Sequence, residues 1–264
     1  GLTTVLELEA GVLPVGEFYD NCAKEGRPIN YGVSSGWGFA RLVAMNPEEA
    51  VNGKPVPTLE YIFTRVGLHD WVENIATEKE IEEIMERTEQ GLKEGGLGIG
   101  VIHGYAPGAG YKELLKVWKL AKKYNMPTYT HIQNLSMVDP NSGTKDMIAL
   151  MGLAASTGAH THVCHWNSTS LRDIPIIAEL VRSAQKQGLP VTTEAYSYGA
   201  GSSAIGASEF NPSDIEQRCG VHFEDMSLVV GGRHFADEAD FTAERTKAPG
   251  ASVVIHFLNE EDSA

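Results

Sequence analysis

Residues 95–134 read GGLGIGVIHGYAPGAGYKELLKVWKLAKKYNMPTYTHIQN. The first part, LGIGVIH (97–103), is apolar and thinned by glycine, which predicts a strand. After the loop GYAPGAG (104–110), residues 111–124 put Leu114, Leu115, Trp118 and Ala121 on one helical face. Pro127 prevents that helix from continuing, and PTYTH (127–131) is the next strand. Strand, helix and strand with connections this short form a βαβ unit, whose strands run parallel.

The same rhythm extends in both directions. Upstream, TTVLELE (3–9) and PINYGVS (28–34) predict strands, with helical spacing at 15–25 between them. Residues 77–96 predict a helix. Thr77 and Glu80 have the spacing of a capping box, Ile81, Ile84, Met85 and Leu92 share a face, and Gly95–Gly96 end it. Downstream, a helix at about 144–157 closes on Gly158, AHTHVCH (159–165) is a strand, 171–187 a helix closed by Gly188, and PVTTEAYSY (190–198) a strand. The pattern then loosens over 199–250, which reads as a less regular, lid-like insertion, before a last strand candidate, ASVVIHF (251–257). The expectation is one α/β domain over 1–264 with a parallel sheet. A doubly wound sheet and a (β/α)8 barrel both satisfy the rhythm. The barrel is favoured because Glu9, His103, His131, His165 and Tyr198 recur at strand C-terminal ends, where a barrel gathers its site, and no G-x-G-x-x-G follows the first strand. About seven strand candidates are present, so the barrel is expected to be incomplete.

Composition narrows the function. The 264 residues carry a net charge of −14, which argues against nucleic acid or an anionic membrane surface as partner. Three cysteines, Cys22, Cys164 and Cys219, are too scattered for a disulfide framework or a CxxC site and agree with a reducing, cytoplasmic compartment. No apolar run is long enough to span a bilayer, and no signal peptide is visible. Gly1 leads straight into a strand, as in the interior of a longer protein.

Nine histidines are present. His69, His222 and His234 lie in polar or weakly patterned sequence and read as structural, and His256 ends an apolar strand. His131 and His165 differ, because each ends a strand, is followed two residues on by an amide (Gln133, Asn167) and precedes a loop into a helix. Imidazoles at the same level of neighbouring parallel strands suit one zinc ion. His160 and His162 have the opposite parity to His165 and are expected to face the helices unless the strand end is bulged. His165 is preferred as ligand, with His162 as its alternative. Glu7 and Glu9 share one face of a strand that should be buried, where an unpaired carboxylate is costly, so a cation partner is expected. Glu9, nearer the strand's C-terminal end, could complete a ligand set with His131 and His165.

Four ordered motifs, GLTTVLELEAG, the stretch at 95–134, VCHWNSTS and TEAYSYGAGSS, resemble the N-acyl-D-amino-acid deacylase (D-aminoacylase) branch of the amidohydrolase superfamily over about residues 1–206. The resemblance implies a metal-dependent-hydrolase TIM-type barrel. It places the family's fifth-strand and sixth-strand histidines on His131 and His165. The family's bridging cysteine has no counterpart in LEAG, where Glu9, or Glu7 as fallback, is the nearest residue able to bridge. One tight zinc site is thus expected, and a second metal would need residues outside this chain. Tyr198 and Ser203, or Ser202, fall where the substrate carboxylate is held, and His103 lines the pocket or packs beneath it. Gln133 and Asn167 stand where the family carries an arginine and a lysine. The first-strand H-x-H and the proton-shuttling aspartate of the last strand are expected beyond Gly1 and Ala264. Asp262, in NEED, is not assigned that role, and no catalytic residue is assigned within the chain. The implied reaction is metal-assisted hydrolysis of N-acyl-D-amino acids. Alone, the chain is expected to be a nearly inactive fragment that self-associates through its open sheet edges. Two rival readings are a cyclic amidase, which needs a lysine that LGIGVIH lacks, and a non-catalytic α/β binding module.

Overall fold

The structure, a computed structural model, describes residues 1–56 and 58–257. The strands are β1 (Thr4–Val12), β2 (Asn30–Gly36), β3 (Ile99–Ile102), β4 (Thr128–His131), β5 (Thr161–Val163), β6 (Val191–Thr193), β7 (Ala200–Ala204), β8 (Met226–Leu228) and β9 (Ser252–His256). The helices are α1 (Val15–Glu25), α2 (Trp37–Met45), α3 (Leu59–Phe63), α4 (His69–Glu73), α5 (Glu78–Lys93), α6 (Tyr111–Lys123), α7 (Gly143–Thr157), α8 (Trp166–Ser170), α9 (Ile174–Lys186), α10 (Ile215–Cys219) and α11 (Glu238–Lys247).

β1 to β6 form one parallel sheet in sequence order. Helices between successive strands cover one face, as the repeated βαβ pattern requires. Among the described residues the sheet does not close, and β1 and β6 are its two edges. The fold is therefore an incomplete TIM-type barrel.

Local chemistry accounts for the elements. α5 begins on the expected capping box, with Thr77 Oγ1 accepting from the Glu80 amide at 3.3 Å and Glu80 Oε2 accepting from the Thr77 amide at 2.6 Å. It buries Ile81, Ile84 and Leu92. α7 ends on Gly158 in the left-handed conformation. α2, which no periodic spacing in the sequence marks, is buried almost throughout. Its Arg41 pairs with Glu113 of α6 at 2.6 Å, and both side chains are sealed from solvent.

Three expectations are corrected. The strand read over 190–198 stops at Thr193, so Tyr198 does not end a strand. The candidate at 251–257 is β9, which joins no parallel sheet but lies between β7 and β8 in an antiparallel one. His160 and His162 face away from the helices. Trp118 of α6 donates to Thr161 Oγ1 at 2.8 Å, which fixes Thr161 on the helix-covered face and puts its neighbours on the other. Strand alternation does not carry to His165, which lies beyond β5 with φ 32° and ψ 49°. Residues 199–250 hold β7, α10, β8 and α11. Asp262 lies outside the described residues.

Candidate metal centre

Glu9 is delivered by an irregularity in β1. The β1–β2 register pairs Glu7 with Val33 and next Val12 with Ser35, so β1 carries extra residues across this interval and bends out of the ladder. Gly11 permits the bend with φ 66°. A Cβ there would stand 2.6 Å from Ser34 Oγ. His131 is the last residue of β4, in register with Ile102 of β3. His165 follows β5 in the left-handed region, a costly conformation held from two sides. Its amide donates to Glu194 Oε1 at 2.9 Å, and Ser168 Oγ donates to its carbonyl at 2.9 Å.

The three side chains meet. His131 Nδ1 is 3.2 Å from Glu9 Oε1, His165 Nε2 is 2.9 Å from Glu9 Oε2, and the two imidazoles approach to 3.1 Å between those nitrogens. One donor atom from each of the three lies within 4.8 Å of the others. Two imidazoles and a carboxylate at this spacing are a set that divalent zinc accepts.

The outer partners orient the lone pairs toward the shared point. Ser168 Oγ, having donated to the His165 carbonyl, accepts from Nδ1 at 3.2 Å and leaves Nε2 with its lone pair toward Glu9. Glu209, buried and not among the residues the sequence pattern singles out, accepts from His131 Nε2 at 3.2 Å, which turns Nδ1 toward Glu9. Arg218 anchors the Glu209 backbone by donating to its carbonyl at 2.7 Å. Gly104 packs against the His131 ring, where any Cβ would come within 2.5 Å. No periodicity marks Glu209. The only hint was a carboxylate among the small and apolar residues of IGASEF.

The same point can hold protons, with His131 Nδ1 and His165 Nε2 donating to Glu9, so a cation would bind there only by displacing them. Burial would lift the Glu9 carboxyl, but hydrogen bonds from His131 and His165 outweigh it and hold the group well below the usual carboxylate range. Burial would depress the His131 imidazolium, but Glu209 and Glu9 hold its pKa up at about 10. Glu7 is pushed up by burial, and its Oε1 accepts from the Ala10 amide at 3.2 Å.

The cluster forms the floor of a cavity of about 240 Å³. Residues of the antiparallel sheet, among them Ser202, Ser203 and Ile255, cover it. Ser203 Oγ hydrogen-bonds the Tyr105 hydroxyl at 2.5 Å, and the Tyr105 ring sits 5.2 Å from that of His131. Tyr196 lines the cavity and stacks on His165 at 5.5 Å. Tyr198 stacks on the far side of Tyr196 and is 62% exposed, so it borders the cavity lining without joining it. His103 is buried outside the lining. Burial lowers its pKa to about 4, and its Nε2 donates to the Ala109 carbonyl at 3.0 Å, bracing loop 104–110. The two amides brace loops as well: Gln133 donates to Pro107 O and Asn167 Oδ1 accepts from the Tyr196 amide. Among the described residues the lining holds three carboxylates, Glu7, Glu9 and Glu209, and no lysine or arginine.

Solved structures share this architecture. An N-acyl-D-glutamate deacylase from Bordetella bronchiseptica, determined with zinc and a phosphonate mimic of the tetrahedral intermediate, superposes on the whole chain with a TM-score of 0.72 at 18% identity. A D-aminoacylase gives 0.69 at 15% identity, and a D-aminoacylase studied for its binuclear metal centre gives 0.68 at 14%. The chain has the fold of the D-aminoacylases. It spans 56% of the length of each of these three structures. No protein-family model matches it, and no curated sequence does. Among the described residues, no helix of this D-aminoacylase fold is long and apolar enough to cross a membrane.

Proposed function

We propose that this chain carries the zinc-binding part of an amidohydrolase acting on linear amides, with N-acyl-D-amino acids as the substrate class. The observation behind the proposal is the convergence of Glu9, His131 and His165 on one point at the cavity floor. The shared fold supports the reaction class, since one of the structures of that fold was solved with zinc and a mimic of the tetrahedral intermediate. A divalent cation supplies polarisation of the substrate carbonyl and a lowered pKa for attacking water.

The chain's own residues would do the rest. Glu209 and Ser168 fix the imidazole lone pairs. Tyr105, Tyr196 and Ser203, with Ser202 beside them, offer hydroxyl donors for the substrate's polar end. Ile102, Phe63 and Phe257 exclude water from the far wall. With three carboxylates in the lining, an anionic substrate should enter only after the cation has offset their charge.

The test is metal analysis with equilibrium dialysis, followed by amine release from a panel of N-acetyl-D- and L-amino acids. About one zinc per chain, lost in His131→Ala and in His165→Ala, is expected. Any turnover should be metal-dependent and favour the D series, at a rate about 10²–10⁴-fold below that of an enzyme with a positioned proton shuttle. Absence of bound zinc in folded protein would refute the reading.

A further inference from the structure

We propose that His162, Cys164 and Glu194 form a second cation site, distinct from the Glu9–His131–His165 centre and built for a borderline-soft divalent ion such as zinc. One donor atom from each of the three lies within 4.8 Å of the others. The spacing follows from the sheet. His162 and Cys164 are two apart on β5 and its extension, hence on one face. The β5–β6 register pairs His162 with Thr192 and Val163 with Thr193, so Glu194 comes level with Cys164. The Glu194 amide donates to Val163 O at 3.2 Å and the Cys164 amide to Thr130 O at 3.0 Å, so the ladder still holds both backbones at that level.

This is the face that Thr161 and Val163 leave to the other side, away from α6. Tyr129 packs edge-on against His162 at 5.6 Å. Cys164 is buried, His162 half-buried and Glu194 exposed, so the thiol forms the base of the site and the carboxylate its mouth. Each flanking contact leaves capacity for an ion. Glu194 uses Oε1 for the His165 amide, and a carboxylate has a second oxygen. His162 Nδ1 lies 2.8 Å from Thr192 Oγ1, and His160 Nε2 meets the same hydroxyl at 2.8 Å. Such a hydroxyl partner fixes the orientation of a ligating imidazole.

Thiolate, imidazole and carboxylate together select zinc or cobalt over magnesium or calcium, which prefer oxygen alone. Binding converts the Cys164 thiol to thiolate and releases its proton to solvent. Three protein donors leave one tetrahedral position for water.

The donor chemistry makes the site separable from the first, which has no sulfur. The experiment is titration of the full chain with Co²⁺, read as the near-ultraviolet thiolate-to-cobalt charge-transfer band. We expect the band in the wild type and in the His131→Ala/His165→Ala variant, so that failure of the first centre leaves this result standing. Cys164→Ser should abolish it. Glu194→Gln, at an exposed position that keeps an acceptor for the His165 amide, should weaken Co²⁺ binding by about tenfold while circular dichroism reports an unchanged fold. No band in folded wild type would overturn the site. So would a band that persists in Cys164→Ser, since it would belong to Cys22 or Cys219.

Discussion

At the scale of single residues, the candidate centre depends on which nitrogen of each imidazole faces the shared point. Glu209 fixes this for His131 from 78 residues further along the chain. Glu209→Gln keeps the shape but weakens the acceptor, and zinc affinity should fall about 10–100-fold with little change in melting temperature, as measured by competition with a chromophoric chelator. Asp146 shows what burial does to a carboxyl even with Lys145 beside it in the chain. Burial raises its pKa from 3.8 to about 6, although Asn134 donates to both its oxygens. The native state therefore binds more protons than the unfolded chain between about pH 4 and 6. This contribution to stability is complete below about pH 4 and is lost as pH rises through about 6. Its size is up to about 3 kcal/mol. Urea unfolding from pH 4 to 7 should show a flatter pH dependence for Asp146→Asn than for wild type. His131 and His165 were legible in the sequence because imidazoles at or just past a strand end stand out against an apolar background, whereas Glu9, read at a strand end, lies inside β1 and reaches the cluster only through the irregularity after Glu7. Glu209 was not legible, since nothing local distinguishes a carboxylate that meets its partner only through tertiary folding. Tyr196 and Tyr198 share a parity, so no alternation rule could tell them apart beyond a strand that stops at Thr193.

At the scale of elements, helix and strand periodicity carried most of the assignment, and the capping box located the start of α5 to the residue. What periodicity could not show was α2, whose sequence, apolar apart from Arg41, has no polar face because nearly all sides are covered. Its one charged residue, Arg41, is tied down by Glu113 Oε2 at 2.6 Å, Trp71 O at 2.7 Å and Asn74 O at 2.5 Å, while Trp37 Nε1 donates to Glu113 Oε1 at 2.9 Å. The pair joins α2 to α6 and to the segment after α4. Glu113→Ala leaves a guanidinium buried without its counter-charge and should cost about 3–5 kcal/mol, measured by chemical denaturation. Replacing both partners with apolar residues of similar volume, Arg41→Met with Glu113→Leu, should recover most of that loss. If the double variant is no more stable than the single one, the hydrogen bonds from Arg41 to the Trp71 and Asn74 carbonyls carry the energy instead of the charge pair.

At the scale of the molecule, among the described residues the sheet has two open edges, and a parallel edge strand presents a row of unpaired donors and acceptors. The β1 edge is the more adhesive. Val5 and Leu6 lie 47% and 46% exposed on it, and Leu2 precedes them at 78%. β6 offers the exposed polar Thr192 in place of such apolar groups. A second copy can satisfy the β1 edge and cover exposed apolar side chains beside it, Val5 on one face and Leu6 on the other, and the net charge of −14 opposes the approach. Association should therefore strengthen with added salt, which screens the repulsion without weakening apolar contact. Sedimentation velocity across a concentration series is expected to show a monomer–dimer equilibrium that shifts toward dimer between low and moderate ionic strength. Leu6→Lys should return the protein to monomer, because a charge on the strand edge must be desolvated in any paired state. A dimer that dissolves as salt rises would instead be held by ion pairs and would place the contact away from β1. A dimer indifferent to Leu6→Lys would move it to β6 or the antiparallel sheet. The two outcomes differ in meaning for the cavity, since β1 also carries Glu9. An interface there would couple the chain's assembly to the position of a metal-ligand candidate, so zinc and dimerisation should promote each other to the same extent.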